Sequence, residues 1–174
     1  CAGVIAATMN NNQGIAGIAP NCIIMPIRIV DSNGYFINEE GLADAIIFAV
    51  DNGADILSNS WGANTSDPNA SPPIVTAIQY AVNHNRIVVF AAGNTADHAH
   101  GVDGYIQFPA NVDIEGVITV GASDRNDHQA NYSPTSNPTS GNNQIIDIVA
   151  PSHRAYPCQL TGETFEIWTI DIPD

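Results

Sequence analysis

Lysine is absent from this sequence of 174 residues and arginine occurs only four times, against 18 acidic residues, so the formal charge is −14 and the pI about 4.2. A phosphate backbone would be repelled rather than steered in, and nucleic acid is not expected as a partner. Cysteine is scarce: Cys1, Cys22 and Cys158 allow at most one internal bridge and leave a thiol over, so no disulfide framework is legible. No apolar run approaches the roughly 20 residues of a membrane span. The stretch Ile23 to Ile29 is already broken by Pro26 and Arg28, and no membrane span is expected. Neither G-x-G-x-x-G nor G-x-x-x-x-G-K occurs, which removes the obvious nucleotide-binding reading of an α/β pattern. His84, His98, His100, His128 and His153 show no H-E-x-x-H spacing, which argues against a zinc site.

What is present is apolar content of 44% with mean hydropathy near zero, enough for one globular domain spanning 1–174. Short apolar runs alternate with helix-period segments, the pattern of an α/β fold: a three-layer parallel sheet flanked by helices and buried on both faces. Strands are expected at Ile23–Val30, Asp55–Ser58, Ile87–Ala91, Val117–Val120 and Ile145–Val149. One helix follows Ser71, a candidate cap, with Pro72 and Pro73 in its first turn and Ile74, Ala77, Ile78, Ala81 and Val82 on one face. Another starts near Asn38, with Glu39 and Glu40 suited to a helix N-terminus, presents Leu42, Ala45, Ile46 and Ala49, and stops at Gly53. Ala2–Ala7, small and apolar all round, reads as a fully buried helix. Asn10–Gly14 and Asp124–Asn143 read as surface loops, and from Ser152 onward the pattern is irregular or short antiparallel strand.

Chemistry concentrates just after strands, where open α/β sheets place ligand sites. Ser58-Asn59-Ser60-Trp61-Gly62, Ala91-Ala92-Gly93-Asn94 and Gly121-Ala122-Ser123 each occupy such an end. Glycine there admits a ligand backbone, and a carboxamide such as that of Asn94 offers an N–H donor. Any one of these alone is as well explained by the needs of a turn.

Their order and spacing together resemble the subtilisin-like serine peptidases over nearly the whole chain. Cys1-Ala2-Gly3-Val4-Ile5-Ala6-Ala7 looks like the tail of the H-G-T-x-x-A-G helix that bears the catalytic His. Gly14 to Pro20 is similar to the family's G-x-x-G-V-A-P segment, Ser60-Trp61-Gly62 to its S-x-G substrate strand, and Ala91-Ala92-Gly93-Asn94 to A-A-G-N. Phe108-Pro109-Ala110, Val117–Ala122 and Ile148–Pro151 follow in the family's order. The resemblance implies a serine endopeptidase in which Asn94 is the oxyanion-hole donor. It places Ser60, Trp61, Gly62 on one edge of a substrate groove, Gly34, Tyr35, Phe36 on the other, and Ala91, Ala92, Gly93 with Ala110 around a pocket. Small residues there would leave room for a large apolar side chain. A cis bond before Pro109 is implied, as is a calcium loop using Asn10, Asn11, Gln13 and Ile15, although that turn is one residue longer than the family's commonest version.

The departure from the family is that no triad residue is present. No G-T-S occurs after Ala150-Pro151, and Asp31 aligns with the loop before Gly34 rather than with the triad Asp. The chain is expected to be an internal fragment of the catalytic domain, incomplete at both ends and inactive alone. The alternative is a non-catalytic relative or scaffold that only binds peptides. Family resemblance further implies a secreted, monomeric protein acting on polypeptides.

Overall fold

The computed structural model describes residues 1–124, 126–137 and 145–152. These fall into two compact units, one comprising Cys1–Pro26 and the other beginning at Ile27. The segment from His153 onward, with Cys158, lies outside the described residues, as do 125 and 138–144 within the polar loop.

In the first unit, helix α1 (Ala2–Ala6) is flanked by Gly17–Ala19, whose N–H groups donate to the carbonyls of Ala7 (2.9 Å), Val4 (3.0 Å) and Ile5 (2.7 Å). The expectation of a fully buried helix at Ala2–Ala7 is corrected: α1 contains no buried residue, and only Ala7 at its end is buried. A helix of this length offers one flank to a neighbour, and its small side chains remove little area from water. Ile23–Val30 is likewise not a strand. Ile23 is 96% exposed, the unit boundary falls after Pro26, and only Val30 makes a bridge, to Phe36. An apolar run supplies side chains for a sheet, but a strand also needs a neighbour that meets its N–H and C=O groups along its length.

The second unit is built on helix α2 (Glu39–Asp51), strand β1 (Ile56–Asn59), helix α3 (Pro72–Asn83), and strands β2 (Ile87–Ala91), β3 (Val117–Ser123) and β4 (Ile148–Pro151). The strands form one parallel sheet in the order β1-β2-β3-β4, with Leu57 beside Val88, Phe90 beside Thr119 and Ala122 beside Ala150. Asn38 caps α2 by accepting the Gly41 N–H at 2.9 Å, while Glu39 and Glu40 in the first turn complement its dipole. Ser71 occupies the N-cap position of α3, as expected, but its hydroxyl makes no capping hydrogen bond. Its hydroxyl instead donates to Glu39 Oε2 at 2.7 Å, tying together the starts of the two helices.

Leu42, Ile46 and Val50 of α2 and Ile74, Ile78 and Ala81 of α3 meet Leu57, Val88 and Phe90 of the sheet in a single core, joined by Ile106, Phe108 and Val112. Ile78, Val88 and Phe90 are completely buried, and each such side chain stabilises the fold by about 1.5–3 kcal/mol. The α/β character is as expected, with the sheet and its helices packed into one core within the second unit. Leu57, Val88 and Phe90 point into the core, whereas Ile56 (58%) and Ile87 (47%), one residue out of phase, are exposed. α2 and α3 pack on the sheet face that carries Leu57, Val88 and Phe90.

Three strands differ in extent from the reading, β1 by one residue at each end, β3 at its end and β4 at both ends. β4 starts at Ile148 rather than Ile145, because the Asp147 carboxylate accepts the Thr119 N–H (2.7 Å) where a backbone carbonyl would continue the ladder. β3 continues through Gly121-Ala122-Ser123, because β4 pairs with all three.

Candidate active site

The strands end on one side of the sheet, and there the chain leaves a cleft of about 320 Å³ lined by Ser58–Ser60, Val89–Asn94, Val120–Ala122, Tyr132, Ser133 and Ala150–Ser152. Of the residues singled out from sequence, Ser58, Asn59, Ser60, Ala91, Ala92, Gly93, Asn94, Gly121 and Ala122 line this cleft. Ala110 does not: it is buried at 3% exposure, and its carbonyl accepts the Thr119 hydroxyl at 2.6 Å. Trp61 stands beside the cleft, with its Nε1–H donated to Asn59 Oδ1 (3.0 Å) and its ring packed edge-on to Phe90 at 5.7 Å. Phe36 lies 6.2 Å from Trp61 between ring centroids, so the Gly34-Tyr35-Phe36 turn adjoins the Ser60-Trp61-Gly62 segment through an aromatic contact. Tyr35 is 73% exposed.

That turn is shaped by Asp31. Its Oδ1 accepts the N–H groups of Asn33 (2.8 Å) and Tyr35 (2.9 Å), and these bonds, Tyr35's first, hold its carboxyl below the usual carboxylate range. Asp31 is thus engaged in forming the edge that carries Tyr35 and Phe36.

Asn94 is exposed and follows Gly93, whose φ of +102° strongly favours glycine. The Asn94 carboxamide makes no hydrogen bond among the described residues, so its N–H is available to a ligand, while its backbone N–H donates to Gln107 Oε1 at 3.2 Å. Gln107 belongs to a segment between the two sides of the site. Its own N–H donates to Ala92 O (3.0 Å), and the next residue, Phe108, exchanges backbone bonds with Thr65 (3.0 Å) and Ala63 (2.8 Å). Sequence reasoning did not single out Gln107. The only signal was a polar residue immediately before Phe108-Pro109, whose peptide bond is cis as expected.

The cleft rim is completed by loops that the sequence marked only as polar. Ser133 accepts the Ala122 N–H on its hydroxyl (3.0 Å), and the Tyr132 and Ser152 hydroxyls share a hydrogen bond of 2.6 Å. A 3-10 turn at His98–His100 is fastened to the same loop: the His98 ring bonds the Ser133 carbonyl (2.9 Å), and Asn131 bonds Asp97 (3.2 Å) and the Ala99 N–H (2.6 Å). The Asp97 carboxyl is held below the usual range, first by the His100 ring at 2.6 Å and then by Asn131.

The turn expected to hold calcium lies in the first unit. Asn10 and Asn12 adopt positive φ (60° and 58°), and Asn11 Oδ1 accepts the Gln13 N–H at 3.0 Å. Asn10, Asn11, Gln13 and the Ile15 carbonyl are oxygen donors but all neutral, and no group of three His, Cys, Asp or Glu suited to a metal occurs among the described residues. With Asn11 committed to the turn, the loop falls short of a calcium shell by itself.

Comparison with known proteins gives a consistent result. The family model described as "Subtilase family" matches residues 1–168. Thermitase from Thermoactinomyces vulgaris is 32% identical over 162 residues, covering 93% of this chain and 51% of thermitase. A calcium-dependent protease from Nostoc sp. is 32% identical over 188 residues, covering 98% of this chain and 25% of that protein. Among solved structures, the patellamide maturation protease PatA superposes with a TM-score of 0.70 at 26% identity, covering 97% of this chain and 57% of that one. The chain therefore spans about half the length of thermitase, and less of the Nostoc relative.

Proposed function

The chain belongs to the subtilase family, and from that premise we propose that it forms the central part of a single serine endopeptidase domain, supplying the oxyanion donor and the substrate groove. In such an enzyme a Ser attacks the scissile carbonyl, a His takes its proton and an Asp orients the His. Negative charge then collects on the carbonyl oxygen, and a donor fixed in advance stabilises it without reorganisation. The observation that carries the reading is Asn94: an exposed carboxamide with no internal partner among the described residues, at the carboxyl end of β2, beside an open cleft. Ser60, Trp61 and Gly62 with Gly34, Tyr35 and Phe36 supply the edges for an extended polypeptide, whose backbone would bond like an added strand. No position of the chain matches the triad Asp, His or Ser, so the other chemical groups must be provided by residues outside these 174.

The test uses the complete gene product. It should hydrolyse an unfolded polypeptide, be silenced by a serine-directed phosphonate, and lose about 10²–10³ in kcat on Asn94→Leu with little change in KM, a magnitude taken from removal of such a donor in a subtilisin. The 174-residue chain alone should show no hydrolysis. A gene product that binds peptides through this cleft without cleaving them would replace the proposal with a peptide-binding scaffold.

We read calcium as structural and outside the chemistry. Asn10, Asn11, Gln13 and Ile15 could contribute oxygens, but without a carboxylate their affinity should be no tighter than about the millimolar range of weak sites. Calcium titration followed on the amide resonances of 10–15 tests this, and saturation at micromolar calcium would refute it. No helix among the described residues is long and apolar enough to cross a membrane. A secreted monomer is the accompanying expectation, checked by fractionation of the source culture and by light scattering.

A further inference from the structure

Gln107 makes contacts that none of the motifs required. Its Oε1 accepts the Asn94 backbone N–H at 3.2 Å, and its Nε2 reaches Asn64 Oδ1 at 3.4 Å. The Tyr105 hydroxyl donates to the same Asn64 oxygen at 2.6 Å. The carboxamide thus spans from the Gly93-Asn94 turn on one side to the Asn64 segment on the other. It fits only because of the glycine: a Cβ at Gly93 would lie 2.2 Å from Oε1. Ala91, Ala92 and Gly93 line the open cleft, but the space where a Gly93 side chain would sit is not empty. The slot beside Gly93 holds the Gln107 side chain.

Gly93, at φ +102°, is conformationally free by itself, whereas Thr95 beyond Asn94 is tied by its hydroxyl to the Tyr105 N–H (2.8 Å) and carbonyl (2.5 Å). The backbone bonds on either side hold Ala92 to Val120 (2.9 Å) and Ala96 to Tyr132 (3.2 Å), and between these anchors the Gln107 carboxamide is what meets the Asn94 N–H. We propose that Gln107 is a positioning residue, a strut that fixes the Asn94 turn so that its side-chain donor is aimed before substrate arrives. This rests on the endopeptidase reading above for its catalytic meaning, while the strut itself is a property of the fold. Preorganisation of a donor raises kcat rather than substrate affinity.

Gln107→Met keeps the length of the side chain and removes the acceptor, and Gln107→Ala removes the strut altogether. By amide exchange on the folded chain, the Asn94 N–H should exchange about tenfold faster in both variants, as expected for one neutral hydrogen bond. The amides of Ala92 and of residue 107 itself, bonded to Val120 O and Ala92 O, should be unchanged. In the complete gene product, both variants should lower kcat by about tenfold with KM held within about twofold. Equal acceleration of all three amides would mean general loosening and overturn the strut. So would an unchanged Asn94 amide. A strut confirmed by exchange alongside a KM effect with unchanged kcat would overturn positioning and make Gln107 a wall of the groove. If the wild-type gene product hydrolyses nothing, the endopeptidase reading fails and takes the catalytic role with it, whereas the exchange result still reports on the strut.

Discussion

Substituting Gly93 by Ala should cost more than its backbone angle alone explains, and a second glycine allows the two contributions to be separated. Gly34 has φ +82° and nothing within 4 Å of where a Cβ would sit, so Gly34→Ala measures conformational strain, about 1–2 kcal/mol for an L residue in the left-handed region. Gly93 has φ +102°, and its Cβ would stand 2.2 Å from Gln107 Oε1 and 2.6 Å from Cγ, so the carboxamide must leave. Eviction adds the hydrogen bond to Asn94, about 1 kcal/mol, for a total near 2–3 kcal/mol. In the Gln107→Ala background there is nothing to evict, and Gly93→Ala should return to the strain value, leaving a coupling of about 1 kcal/mol in the double-mutant cycle. Urea unfolding of the single variants and the double variant, followed by tryptophan fluorescence, measures all the required differences. Agreement of Gly93→Ala with Gly34→Ala to within about 0.5 kcal/mol, or a cycle that closes to that level without coupling, would refute the reasoning.

Ile78→Ala, at a completely buried position of α3, should destabilise by about 2–5 kcal/mol, whereas Phe48→Ala on the exposed side of α2 should change stability by no more than about 0.5 kcal/mol; chemical denaturation checks both. Asp97 predicts an acid-sensitive clasp. Its folded pKa is held below the ordinary aspartate range by the His100 and Asn131 bonds, so its stabilising contribution is complete above that range and is lost as pH falls through the folded pKa. Amide exchange at Ala99, whose N–H is held by Asn131, should accelerate in that window in the wild type and show no such step in Asp97→Asn. Tyr80 behaves oppositely: its hydroxyl donates to Asp51 at 2.8 Å and its pKa is raised, so this contribution is present below the ordinary tyrosine range and lost as pH rises through the folded pKa. Tyr80→Phe should remove that alkaline dependence from the unfolding free energy.

The parts of the fold that were legible are those whose determinants are local. β2 coincides with its reading, Ile87–Ala91, because a β-branched run is bounded by a turn at each end. α3 was legible from two prolines that only a first turn accepts and from apolar residues three and four apart. Ile23–Val30 has the same composition as a buried strand and is not one, because composition does not say whether a partner stands alongside. The start of β4 was hidden for a related reason: Asp147 substitutes its carboxylate for a backbone acceptor, a choice that depends on where Thr119 lies in space. Ser71 looked like a cap and became a tether to Glu39 because another helix begins nearby.

The site divides along the same line. Gly93 was legible as a backbone requirement, since its φ of +102° suits few other residues, and Asn94 was legible because Ala91-Ala92-Gly93-Asn94 resembles a family motif. Gln107 carries no such requirement: many side chains could precede Phe108-Pro109 without disturbing the chain. Its importance arises from what Gly93 omits, since the missing Cβ is the space that the carboxamide fills. A residue that works by occupying the absence of another can be identified only when both are placed, and the pair should therefore vary together. A sequence with a larger residue at position 93 should carry a smaller one at position 107, and restoring glutamine to such a sequence should displace the turn that bears Asn94.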